Sequence, residues 1–228
     1  AVYGTIPAWM AAMHEHNPRM LKHDTDLRGE AFAAGALSSR GKDDLIRAVN
    51  VARLYAPSML NDVKGMAVAG TGVADFIGYF CGAYCYQGEQ ALLLSTQALA
   101  LVLQLRGQTA PPALLLAQDV EAVLAQYQAL TESDQLSHLN HTIACFHAND
   151  RAALEQAVFE QGLLPSKIKL LAMLGNYVVT LQAAQASRWL TRARAAGVSD
   201  GELADLGFVY LLTAGIPAWF GCCDLLIA

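Results

Sequence analysis

The chain is short of charge. Asp, Glu, Lys and Arg make up 15% of its 228 residues, where a soluble domain averages about 25%. The 15 basic residues are outnumbered by 20 acidic ones, the net charge is −5, and Lys and Arg never form a run. A phosphate backbone needs basic patches, so no nucleic-acid partner is expected. A nucleophile motif, a Gly-rich phosphate loop and a recognised zinc spacing are also missing, so no cofactor and no metal are expected. Five cysteines at this length do not make a disulfide framework. The opening residues carry no signal-peptide pattern, which makes the cytoplasm the expected compartment. The chain does not begin with Met, so a few residues are expected to precede it.

Apolar residues are abundant, at 54%. Such a chain either enters a membrane or buries extra surface against another copy. The segment Ala91–Arg106 is too short and too polar to span a bilayer. Leu206–Ala228 has Asp224 as its single charge, but Gly207, Gly215, Pro217 and Gly221 interrupt it and no basic flank follows. It reads as a buried interface helix, with no membrane involved.

The sequence repeats itself. Shifted by 127 positions, "FAAGALSSRGK" (Phe32–Lys42) falls on "FEQGLLPSKIK" (Phe159–Lys169) without a gap. Phe, Gly, Leu, Ser and Lys coincide, and Arg40 meets Lys167. Further on, Val51, Leu54, Ala56, Ala69 and Gly70 meet Val178, Leu181, Ala183, Ala196 and Gly197. That makes ten identities in the 48 positions from Phe32 to Tyr79, where chance gives about three or four. Two divergent repeats are expected, residues 1–108 and 109–228, joined near "RGQTAPP" (Arg106–Pro112), whose Gly and prolines break a helix.

Each repeat reads as helical and the fold class as all-α. Leu45, Val49, Ala52, Ala56, Met59 and Val63 recur at helical spacing over one long helix. Ser38 or Ser39 suits its start and Gly70 its end. Pro57 interrupts it and is expected to kink it. In the second repeat, Pro165 and Ser166 open the matching helix. Ser199 and Glu202 have capping-box spacing for the helix that follows, matched in the first repeat by Gly72 and Asp75.

The Leu-x-Ser-[Arg/Lys]-x-Lys lead-in, the long amphipathic helix, the small-residue segment ending "AVAG" or "ARAAG" and the capped helix after it together resemble the carboxymuconolactone decarboxylase and alkylhydroperoxidase D-like superfamily. In the peroxidase branch that helix carries Glu-x11-Cys-x2-Cys-x3-His. One helical face then lets a carboxylate and an imidazole activate one thiolate while the second cysteine resolves it. Anchored on Gly70, the resemblance places Asp43 at the glutamate, Tyr55 and Ser58 at the cysteines and Asp62 at the histidine. Anchored on Gly197, it places Leu170, Gln182, Gln185 and Trp189 there. The decarboxylase branch keeps the histidine, which neither repeat has. Neither mechanism of the superfamily can run on these residues.

The candidate site is therefore in the first repeat. Asp43, Tyr55, Ser58 and Asp62 are expected on one face, with Asn61 beside them and Lys42 and Asp44 nearby. Two carboxylates beside a phenol and a hydroxyl suit acid–base work on a small organic molecule when burial shifts a pKa. The plainer alternative is that Asp43 and Asp44 serve the helix dipole and Asp62 faces water. The superfamily's opening helix packs near the active-site helix, which makes His14 a candidate base; the 127-residue shift pairs it with His141. His138 and His141 share a helical face but have no acidic or cysteine partner at a recognised metal spacing. Cys81 and Cys85, four apart, are not a CxxC redox pair, and buried packing is their ordinary role. The resemblance further implies a homo-oligomer, a trimer or dimer, in which fusion replaces subunits. The leading expectation is an atypical enzyme performing decarboxylation, isomerisation or elimination on a small organic acid or cyclic substrate. The alternatives are a thiol peroxidase using other cysteines and a non-catalytic small-molecule binding protein.

Overall fold

The computed structural model describes residues 6–68, 81–110, 112–115, 119–130, 133–160 and 164–227. Among the described residues every regular element is an α-helix, so the fold is all-α. The first seven labelled helices are α1 (Ala8–His16), α2 (Pro18–Phe32), α3 (Ser39–Ala52), α4 (Ala56–Val68), α5 (Glu89–Leu105), α6 (Pro112–Leu115) and α7 (Val120–Leu130). Residues 81–87 are also helical and lead into α5 through Gly88. Then come α8 (Ser133–His147), α9 (Arg151–Glu160), α10 (Ser166–Val179), α11 (Ala183–Ala195), α12 (Asp200–Ala214) and α13 (Ile216–Ile227). None of these helices is long and apolar enough to cross a membrane, among the described residues.

Local chemistry sets the starts. The Asn17 side chain accepts the Met20 N–H at 3.1 Å, with Pro18 in the first turn of α2. Ser38 Oγ accepts the Gly41 N–H at 3.1 Å and opens α3. Ser199 and Glu202 form the reciprocal capping box at α12. The Gly70 helix end and the Gly72/Asp75 cap lie outside the described residues.

The expected long helix is two helices. It stops at Ala52, and α4 restarts at Ala56. Leu54 adopts φ 55°, in the left-handed region, and the Tyr55 N–H returns to the Asn50 carbonyl at 3.1 Å. This is the 6→1 bond of a Schellman ending. Pro57 is not its cause. The second half breaks at the same offset with Ala184 in proline's place: Leu181 has φ 58°, and the Gln182 N–H returns to the Tyr177 carbonyl at 2.9 Å. Other landmarks also recur at 127 residues: α3 and α10, α4 and α11, the starts of α5 and α13, and the left-handed Gly88 and Gly215.

Two apolar clusters form the core. Met59, Val63, Leu92, Leu99, Val102 and Tyr127 gather α4, α5 and α7. Leu45, Val49, Leu171, Leu174, Trp189 and Tyr210 gather α10 to α12 and also take in α3. Helix α3 is thus packed among second-half elements, against α10 and α12. Close approach is built in at Gly175, where a Cβ would stand 1.9 Å from the Tyr210 ring. Charge ties the same helices. Lys42 Nζ lies 2.9 Å from Asp205 Oδ1 and donates to the Ala33 carbonyl at 2.7 Å, while Asp205 Oδ2 accepts the Leu37 N–H at 2.8 Å.

Breaking a buried pair from one side leaves an uncompensated charge, typically costing about 3–5 kcal/mol. Lys42→Met is therefore expected to lower the unfolding free energy by about that amount, and Lys42→Met/Asp205→Leu by clearly less than the two single changes summed. Chemical denaturation of the four proteins checks this. Additive losses would show that the two side chains do not act as a pair.

Candidate functional site

Helices α2, α3 and α4 bring one charged cluster together. On α2, Asp24 and Arg28 stand one turn apart, with Arg28 Nε 3.8 Å from Asp24 Oδ2. That is too long for a hydrogen bond. Both of these atoms are shielded from solvent with no hydrogen-bond partner. The Arg28 guanidinium lies 5.9 Å from the centre of the Trp9 ring on α1. On α3, Arg47 reaches Asp44 at 3.2 Å and Asp43 at 3.5 Å. One turn on, Asn50 is 2% exposed, and its Nδ2 donates to Asp62 Oδ2 at 2.5 Å.

Asp62 is the pivot of the cluster. Burial disfavours its charged form and pushes its carboxyl from 3.8 up to about 6. The Asn50 hydrogen bond and the positive charges of Arg28 and Arg47 oppose that rise, and the Asp43 charge adds to it. A carboxyl held there exchanges its proton near neutral pH, which is what a general acid or base requires.

The expected site residues divide. Asp62 is inside the cluster and Asp43 is at its edge, held by Arg47. They do not share one helical face, because the Leu54 ending puts them on different helices. Ser58 stands one turn before Asp62 on α4 and is half-buried. Tyr55 falls in the break and is 56% exposed. His14 lies exposed in the last turn of α1. Cavities of about 30 Å³ and about 10 Å³ are formed by described residues, and neither is lined by Asp43, Tyr55, Ser58 or Asp62.

At the same offset the second half is filled. Trp189 stands at the counterpart of Asp62, is 1% exposed and stacks on Tyr177, the counterpart of Asn50, at 6.4 Å. Phe159 closes on it at 4.9 Å. Arg192 covers the Trp189 ring at 4.3 Å and pairs with Glu155 at 2.8 Å. Leu170 is buried in the core, and Gln182 and Gln185 are exposed. This half offers no titratable side chain at the Asp62 position.

Asp24, Arg28, Arg47 and Asn50 were not singled out from the sequence. Two signals pointed to them. Asp24/Arg28 and Asp43/Arg47 are acid–base pairs at i,i+4. Asn50 and Asp62 also both become aromatic at the offset, so the two positions change together.

The thiols are poorly suited to redox work. Burial pushes Cys81, Cys85 and Cys222 up to about 12, and a thiol needs to ionise to react. Cys145 Sγ lies 3.8 Å from Nε2 of the exposed His141. The His138 side chain lies outside the described residues. Among the described residues no three His, Cys, Asp or Glu side chains gather to hold a metal ion. No family model matches the chain, and no curated protein matches it in sequence.

The raised Asp62 pKa makes a signed prediction. The folded protein holds a proton on Asp62 that the unfolded chain releases, so this residue costs stability progressively as pH rises from about 4 to about 6. Asp62→Asn removes the charge and keeps the shape. It is expected to stabilise the protein by roughly 3 kcal/mol at pH 7.5 and by almost nothing at pH 3.5. Denaturant titrations at the two pH values check this, and an equal gain at both would show that the carboxyl titrates normally.

Proposed function

We propose that the chain is an acid–base enzyme of the lyase or isomerase kind acting on a small organic acid, with Asp62 as its proton-transferring group. The observation that carries this reading is Asp62, poised at about 6 beside the Arg28 and Arg47 guanidiniums. A carboxylate substrate would be drawn to those two cations, and the proton on its neighbouring carbon would meet the Asp62 carboxyl. Arg28 Nε and Asp24 Oδ2, shielded from solvent and without a hydrogen bond, supply one donor and one acceptor for orienting it. Ser58 and Asp43 flank this centre, and Tyr55 and His14 would act on it from exposed positions, in the α3–α4 break and at the end of α1. The suppressed ionisation of Cys81 and Cys85 favours this chemistry over a thiol peroxidase.

The same reading takes the chain as two copies of one helical unit, the first working and the second structural. The shared helix limits and the paired left-handed residues support that view. A homo-oligomer is part of the proposal. Leu181, Phe208, Ile216, Phe220 and Ile227 are exposed large apolar residues of the second half, four of them on α12 and α13. Light scattering on the protein should give a dimer or trimer, and Phe220→Glu should shift it toward monomer. A monomeric parent would remove this part of the reading.

The catalytic test is exchange in heavy water. A panel of three- to six-carbon organic acids is incubated with the protein, and loss of the C–H signal beside the carboxylate is followed by proton NMR. At least one acid is expected to exchange or react, with Asp62→Asn slowing it about 10²–10⁴-fold and Cys81→Ser/Cys85→Ser leaving it unchanged. Turnover indifferent to Asp62→Asn would refute the assignment.

A further inference from the structure

Three arginines of the second half converge on one carboxylate. On α9, Arg151 Nε donates to Glu155 Oε1 at 3.1 Å. From α11, Arg192 Nη1 donates to Glu155 Oε2 at 2.8 Å, and Arg188 Nη2 stands 3.9 Å from the same oxygen. Glu155 is the only carboxylate within ion-pair distance of any of the three, among the described residues. Three positive charges thus face one negative charge, an excess of two in a chain whose net charge is −5.

Stability does not account for the third arginine. The Arg188 side chain is 61% exposed, and its distance to Glu155 is too long for a hydrogen bond. An exposed ion pair of that kind contributes little, and like charges gathered on one carboxylate repel. The 127-residue offset points the same way. Arg151 and Glu155 stand where the first half has Asp24 and Arg28, the same pair with its signs exchanged. Arg188 and Arg192 stand where the first half has the uncharged Asn61 and Gly65. The surplus cations are therefore particular to the second half.

We propose that Arg151, Arg188 and Arg192 form a binding site for a compact dianionic oxyanion, a phosphate carried either as the free ion or as a phosphomonoester. Two of the cations are already held. The Arg192 guanidinium lies 4.3 Å from the centre of the Trp189 ring and 5.8 Å from that of Phe159, and Arg151 Nη2 donates to the Cys85 carbonyl. Holding a side chain in place beforehand lowers the entropy lost on binding. Arg151 Nη1, Arg192 Nη2 and the whole Arg188 fork make no hydrogen bond, among the described residues. A guanidinium fork matches phosphate oxygens two at a time. A dianion cancels the excess charge, whereas a monoanion leaves half of it.

The test is calorimetric titration of the full chain at pH 8 and fixed ionic strength with sodium phosphate, methyl phosphate and sodium acetate. One phosphate per chain is expected, with Kd about 1 mM or tighter, and acetate at least tenfold weaker. Tryptophan emission should change with the same midpoint, because Arg192 covers Trp189. Arg188→Gln is expected to weaken phosphate binding at least tenfold without altering the melting temperature, and Arg188→Lys, which keeps the charge and loses the fork, by less. Arg19→Gln, at an exposed arginine of α2, should leave binding unchanged. Methyl phosphate bound as tightly as inorganic phosphate, or more tightly, supports the proposal with an organic phosphate as occupant; a tenfold preference for inorganic phosphate supports it with the free ion. No saturable binding of either phosphate up to about 20 mM, acetate bound as tightly as phosphate, or undiminished binding in Arg188→Gln overturns the proposal.

Discussion

The buried contact between Lys42 and Asp205 is the constraint on which the first-half site depends. One carboxylate takes the Lys42 ammonium and the Leu37 N–H, and the same ammonium holds the Ala33 carbonyl. These three bonds fix the turn between α2 and α3 against α12. The turn passes so close that a Cβ on Gly35 would stand 2.8 Å from the Asp205 carboxylate. A buried ion pair adds little net stability, because desolvation offsets its attraction. Here its effect is geometric. It sets where α2 leaves off and α3 begins, and so where Arg28, Arg47 and Asn50 stand when α4 delivers Asp62.

Helix limits recur at the 127-residue offset, but the side chains at the matched positions differ in kind. In the first half, the paired positions hold Asn50 and Asp62, joined by a hydrogen bond, and the carboxyl is strained toward its neutral form by burial. In the second, the same positions hold Tyr177 and Trp189, stacked and closed over by Arg192. Aromatic burial stabilises, whereas a desolvated carboxyl costs stability. The cost in stability thus falls at Asp62, and the aromatic filling at the matched positions carries no such cost.

Much of the fold was legible in the sequence, for identifiable reasons. The helical periodicity, the Ser38 and Ser199 caps and the 127-residue offset are local or comparative signals, and helices obey them. The break at Leu54 was not legible. Leucine is a poor occupant of the left-handed region, and the eye goes to Pro57 instead. The break at Leu181, with no proline nearby, shows that such an ending needs no proline. Of the candidate cluster, Asp62 could be singled out from its place in the frame of α4. The site was not legible at Arg28 or Asn50, which reach Asp62 across helix packing that no spacing along one helix encodes. Tyr55 sat in the same frame and came out exposed, because the frame assumed an unbroken helix.

The lysines at the offset carry the same logic one step further. Lys42 and Lys169 are the same residue at matched positions of matched helices. Lys42 is held by a carboxylate at 2.9 Å and anchors a turn. Lys169 lines a largely apolar cavity together with Asn176, and burial lowers its pKa from 10.5 to about 8. A lysine's chemistry is set by what stabilises its charge. A carboxylate at hydrogen-bond distance makes Lys42 a structural cation. Burial weakens the charged form of one polar group on each side, Asp62 and Lys169. At the matched positions Trp189 is packed among aromatic rings and Lys42 is paired with Asp205.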